Sequence, residues 1–192
     1  MEGELYYAAM DVGNTTGPGA AGATGDSLLI GSDSRGTFLA ARGAVRAMLC
    51  YPLRESLLAR LEESADVPAV FVDLSQCHYM DSTFIGLLVA IDRRLRSGTG
   101  GRLHLHQPSP TCRELLRQMG LLDLLVVEEG PLPSPPPLEE LDRPGGRPAT
   151  EFVLKTHEEL METSEEARRK FALLHDELQR KLRAEKPPEG SR

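Results

Sequence analysis

Hydrophobic positions along this chain change period several times, and each change marks an element. Leu28-Leu29-Ile30 and Thr37-Phe38-Leu39-Ala40-Ala41 are short apolar runs separated by the polar, glycine-bearing residues 31–36, which reads as a hairpin or two adjacent strands. Leu53, Leu57, Leu58 and Leu61 then recur at helical spacing, and Pro52 suits a first helical turn, so a helix is predicted over residues 49–64. Val70-Phe71-Val72 is β-branched and aromatic and predicts a buried strand, with a loop over residues 73–79. Beyond it Phe84, Leu87, Leu88, Ile91 and Leu95 return to the helical period. A strand over 102–106, a helix over 109–119 and an edge strand over 124–127 follow. Strands alternating with helices argue for an α/β sheet whose parallel crossovers cover one face.

The flanks break this pattern. Residues 1–26 are predicted to be disordered, because the Gly-, Ala- and Thr-rich stretch 13–25 cannot bury much apolar surface; Leu5-Tyr6-Tyr7 would form an edge strand at most. Residues 131–149 carry Pro131, Pro133, Pro135-Pro136-Pro137, Pro144 and Pro148 and read as an extended linker. Residues 150–186 hold no proline or glycine and predict a long amphipathic helix, with Thr163-Ser164 as the point where it could break. Its stripe is Val153, His157, Leu160, Ser164, Ala167, Phe171, Leu174 and Leu178, and two readings stay open. Either the stripe packs on the chain's own domain, or Phe171, Leu174 and Leu178 form a surface for self-association or a partner. The layout is therefore a domain over 27–130, a linker over 131–149, a separable helix over 150–186 and a disordered tail over 187–192.

Charge and composition narrow the function. A net charge of -7 argues against nucleic-acid or anionic-membrane binding, and the absence of Trp leaves little for base stacking. Three cysteines, Cys50, Cys77 and Cys112, are odd in number and have no zinc spacing, which suits reduced buried thiols in a cytoplasmic protein. No apolar run has the length of a membrane span, and the acidic start Met1-Glu2-Gly3-Glu4 is not followed by the apolar core of a signal peptide. His104 and His106 share a strand face; with no third ligand in sight, a solvated face is the simpler reading than a metal pair. No metal site and no cofactor are expected. The sequence has no phosphate loop, no dinucleotide fingerprint after a strand and no nucleophile elbow. Ser82 has no evident base, because His78 precedes the strand-to-helix turn, so an enzyme is not expected.

The chemistry that remains sits at Asp81-Ser82-Thr83, where a loop becomes a helix N-terminus. First-turn N–H groups lack intrahelical partners, and Asp, Ser and Thr side chains satisfy them. The same helix end carries positive partial charge and tolerates a phosphate. A plain cap and a modifiable serine both fit this stretch.

Met80-Asp81-Ser82-Thr83-Phe84-Ile85-Gly86 after a strand resembles the signature of STAS-domain anti-sigma factor antagonists. The resemblance continues through Gly98-Thr99-Gly100-Gly101 into the next strand, and through Pro108-Ser109-Pro110-Thr111, Leu115-Leu116 and Met119-Gly120-Leu121. It covers residues 28–128. It implies a STAS-like mixed sheet of four to five strands covered by helices. It also implies an antagonist that binds an anti-sigma factor acting as a serine kinase, is switched off by phosphorylation at Ser82, and is reset by a metal-dependent phosphatase. Asp81, Ser82, Thr83, Phe84 and Gly86 carry over as the partner-binding positions. Two departures stand out: Arg46 replaces an acid in Gly43-Ala44-Val45-Arg46, and Phe84 replaces a glycine, setting a large apolar group beside the serine. Two alternatives stay open: a non-switching scaffold in a sensory or lipid-transport assembly, which the family also implies, and a small-molecule sensor with a pocket beside the Ser82 helix N-terminus.

Overall fold

The structure is a computed structural model that describes residues 25–58, 61, 68–142 and 148–185. The stretch up to residue 24 with Leu5-Tyr6-Tyr7, most of residues 59–67, and the tail 187–192 lie outside the described residues.

β1 (Ser27–Asp33) and β2 (Gly36–Val45) form the expected hairpin, paired antiparallel. β3 (Val70–Met80) lies parallel to β2, β4 (Leu103–His106) parallel to β3, and β5 (Val126–Glu128) parallel to β4. A two-residue strand, β6 (Glu139–Glu140), pairs antiparallel with β1, so the described sheet has six strands in the order β5-β4-β3-β2-β1-β6. Crossovers are made by α1 (Ala47–Leu53), α2 (Ser82–Gly98) and α3 (Pro110–Gln118).

Two local expectations are corrected. Residues 73–79 are not a loop: β3 continues to Met80. Its buried positions run Val70, Val72, Leu74 and then Cys77 and Met80, so the period of two is interrupted twice. Between Ala40 and Arg42, and again between Gly43 and Ala44, β3 carries one residue more than β2, and each bulge turns the following side chains by one position. Alternation fails in the sequence for this reason although the strand persists. Pro52 does not open its helix but lies inside α1, and the chain widens directly afterwards into a π-turn over Arg54–Leu58. A proline removes a backbone donor and crowds the preceding turn, which a wider turn relieves.

The core lies between the sheet and the helices, with Leu39, Val70, Val72, Leu103 and Leu105 meeting Phe84, Leu87, Leu88, Ile91 and Leu116. The opposite face is covered too. Phe38, Phe71 and His104 stack across neighbouring strands, with centroids 4.9 and 5.2 Å apart. Gly31 faces Phe38 across the hairpin, and a Cβ there would collide with the Pro137 backbone. Arg35 lies over the Phe38 ring and donates to the Ser134 carbonyl, while His106 Nδ1 lies 3.2 Å from the Gly130 carbonyl oxygen. The proline-rich segment is therefore a strap. Five inter-strand gaps span about 24 Å, and nine extended residues at about 3.1 Å each cover that distance.

The C-terminal stretch is two helices, α4 (Thr150–Met161) and α5 (Glu165–Glu185). Ser164 ends the continuity by accepting from the Ala167 N–H at 3.0 Å, an N-cap for α5. The helices pair with each other, and Thr150 donates to Glu185 at their far ends, 2.9 Å. Phe152, Leu160 and Phe171 enter the main core, and α4 lies along α2. Of the two readings of the stripe, packing on the chain's own domain is the one observed.

Candidate functional site

The register of β3 sets the site. Met80 pairs with Val45, and the next backbone N–H, of Asp81, donates to the Val45 carbonyl at 3.1 Å. Asp81 is then the extended N-cap of α2. Its Oδ1 accepts from the Phe84 N–H at 2.9 Å, and its Oδ2 accepts from the Ala47 N–H at 2.8 Å, where Ala47 opens α1. One carboxylate thus caps two helices. Burial pushes the Asp81 carboxyl above its ordinary value, opposed by the Phe84, Ala47 and Thr83 N–H groups and by the Arg46 charge.

The departure at Arg46 is explained by the same bond. Arg46 is the N-cap residue of α1 but makes no side-chain cap; Asp81 supplies the acceptor instead. The Arg46 guanidinium lies 5.3 Å from the Tyr79 ring centre and 3.7 Å from the Asp26 carboxylate.

Ser82 is the first residue of α2 and takes no part in capping it. Its Oγ lies 2.9 Å from Nε2 of His157 on α4. The other ring nitrogen, Nδ1, lies 2.7 Å from the Val153 carbonyl oxygen. A carbonyl only accepts, so Nδ1 carries the proton, Nε2 accepts, and the serine hydroxyl donates. His157 is 1% exposed and its ring meets Phe171 of α5 edge-on, 5.4 Å between centroids. Burial lowers its pKa, the His175 charge lowers it further, and the Val153 bond acts in the other direction.

The expectation that Ser82 lacks a base is therefore corrected. The base is 75 residues away in sequence. A hydroxyl donating to an oriented imidazole has the polarity of a nucleophile and its base. Here that polarity serves an interhelix contact, because the histidine is sealed beneath α5. The sequence held one signal of it: His157 occupies a position in the tail's apolar stripe where a polar residue needs a partner.

The remaining partner-binding positions divide. Asp81 and Ser82 are half-buried, but Thr83, Phe84 and Gly86 are buried. Phe84 is 0% exposed, so it does not stand beside the serine as an apolar surface group; it is the first residue of the stripe that faces the sheet. At Gly86 the α4 backbone comes so close that a Cβ would overlap the Thr156 carbonyl. Farther along, Arg93 pairs with Glu159 at 2.7 Å and with Glu162, and Arg94 pairs with Glu159 at 3.1 Å.

The other candidates resolve into structure. His104 Nδ1 meets Glu128 at 2.7 Å, and His106 is buried under the strap, so this face is not solvated as expected. Among the described residues no cluster of three or more His, Cys, Asp or Glu could hold a metal. All three cysteines are free and buried, with Cys77 and Cys112 sulfurs 3.8 Å apart. No described helix is long and apolar enough to cross a membrane.

A family profile described as "Mlab, STAS domain" matches residues 29–127 of the 192. Among solved structures the chain is similar to the anti-sigma factor antagonist SpoIIAA in its unphosphorylated form, at 20% identity, over 53% of this chain and 87% of that one, TM-score 0.48. It is similar to an anti-sigma-factor antagonist (STAS) domain protein from Planctomyces limnophilus, at 20% identity, over 54% and 90%, TM-score 0.44. It is also similar to the Bacillus cell fate determinant SpoIIAA in the phosphorylated form, at 20% identity, over 53% and 89%, TM-score 0.45. No curated protein matches the chain in sequence.

Proposed function

The chain belongs to the STAS-domain family, and from that membership we propose that it is an anti-sigma factor antagonist whose binding is switched off by phosphorylation of Ser82. The observation that carries this reading is the division of labour at the α2 N-terminus. Asp81 alone caps the helix, which leaves the neighbouring hydroxyl without a capping duty. The helix end favours an anion, so its positive partial charge offsets part of the repulsion that a phosphoryl group on Ser82 meets from the Asp81 carboxylate. The partner in this reading is an anti-sigma factor with serine kinase activity, and a metal-dependent phosphatase restores the hydroxyl. The module itself performs no catalysis and acts in the cytoplasm.

Phosphopeptide mapping of the protein purified from its own cells tests this. The expected result is a phosphorylated fraction with the phosphate on Ser82. A chain that stays unmodified under all growth conditions, or is modified elsewhere, contradicts it.

The Ser82–His157 bond favours a second reading, a non-switching scaffold in which the serine is a packing contact. A protein that binds its partner equally with and without the phosphate belongs to that class. Phe171 and Leu178 are buried against the chain's own helices, so self-association through them would require α5 to leave.

A further inference from the structure

The geometry points to the face of α2 that carries Ser82 and Gly86 as a helix-docking surface, occupied in cis by α4, from which a phosphoryl group on Ser82 excludes that helix. This rests on the reading of Ser82 as the modified serine, and adds what the tail does there.

Three observations lead to it. The Ser82 hydroxyl is 2.9 Å from His157 Nε2, with no third atom between them. A phosphorus on Oγ, with three further oxygens, cannot be accommodated in that gap while α4 stays in place. The chemistry of the gap is also wrong for it. Nε2 presents a lone pair because Nδ1 is committed to the Val153 carbonyl, and phosphate oxygens are acceptors as well. The imidazole would have to take up a proton to pair with the phosphate, and its burial opposes that.

The second observation is the closeness of the two helices. Gly86 lets the α4 backbone touch α2 at Thr156, so the contact has no slack to move outward by a fraction of an ångström and keep its packing. The third is the nature of the remaining ties. Arg93 and Arg94 hold Glu159 and Glu162 at the partly exposed edge, where ion pairs contribute little. Phe152, Leu160 and Phe171 hold the tail by apolar burial. The close approach of α4 at Ser82 thus couples the state of the serine to the docking of the tail, because the room a phosphoryl group needs is filled by α4. The consequence is reciprocal: a kinase reaches the Ser82 oxygen only when α4 is undocked, and the modified chain does not redock it.

The test is hydrogen exchange on the full-length protein, read separately over residues 150–161 and over β3–β4. It compares wild type, phosphoserine installed at position 82 by amber suppression, Gly86→Ala and His157→Phe. No kinase or partner is needed, so failure here leaves the antagonist reading standing, and loss of the antagonist reading leaves this result intact. Phosphoserine and Gly86→Ala should each raise exchange over 150–161 by at least about tenfold while β3–β4 stays protected. Gly86→Ala guards against a folding failure, because alanine is the better helix former in α2 and acts only through the clash with Thr156. In His157→Phe the hydroxyl has lost its acceptor, and the phosphoserine effect should persist, since the exclusion is steric. Equal protection of 150–161 in wild type, the phosphoserine form and Gly86→Ala would overturn the inference.

Discussion

At the residue scale the account turns on Asp81 and His157. Asp81 accepts two backbone N–H groups that begin two different helices. Asp81→Ala should therefore cost more than an ordinary cap, about 2–4 kcal/mol, because a lost cap is joined by a second unpaired donor. Asp81→Asn keeps one acceptor oxygen and sheds the buried charge, so its loss should be about half as large; chemical denaturation of the two variants measures both. The location of Asp81-Ser82-Thr83 was legible in the sequence because cap chemistry is local. His157 was not, because a contact 75 residues distant has no local signature. Phe84 was misplaced for a related reason: its neighbour in sequence is the serine, but helical geometry turns it toward the sheet.

His157 also gives the tail a pH dependence. Its pKa lies below the ordinary 6.5 in the folded protein. The unfolded or undocked histidine therefore binds protons first, so its contribution is complete above about pH 6.5 and is lost as pH falls toward the depressed value. His175 on α5 also acts to lower this pKa, and its Nε2 lies 3.3 Å from the Glu158 carboxylate. Thermal melts between about pH 7.5 and 5.5 should show a decline that His157→Gln flattens. Identical slopes in the two proteins would remove the role assigned to this ring.

At the element scale the tail is the surprise. Its helicity and stripe were legible from the spacing of Leu160, Ala167, Phe171, Leu174 and Leu178, and the break was legible from Thr163-Ser164. What the stripe packs on was not, because an amphipathic face specifies burial without naming the surface that buries it. Proline content likewise specified extension over residues 131–138 but not that the segment would lie across a sheet face. A chain ending at Gly130 loses the strap together with Phe152, Leu160 and Phe171, each buried side chain being worth about 1.5–3 kcal/mol. Its expected behaviour is a broad, weakly cooperative melt or insolubility. A sharp melt close to that of the full chain would instead show the tail to be an accessory.

At the scale of the whole molecule, both faces of the described sheet are at least partly covered. Helices α1 to α3 lie on one face, α4 packs on α2 with α5 against α4, and the strap crosses the other face. The α/β class and the order of strands and helices followed from the alternating periods, because parallel strands need crossovers. β6 was not foreseen, since a two-residue edge pairing carries no periodicity. The tail stands on the Ser82 surface, so a partner that approached Ser82 across that face would meet α4 of the same chain first.

In the antagonist reading the state of Ser82 decides partner binding. Its most direct measurement is capture of serine-kinase anti-sigma factors from the protein's own cells by wild type, Ser82→Ala and Ser82→Asp, with thermal melts of the same preparations. Wild type and Ser82→Ala should capture the kinase, and Ser82→Asp should lose it by at least about tenfold while retaining a cooperative melt. Equal capture by all three proteins would contradict it.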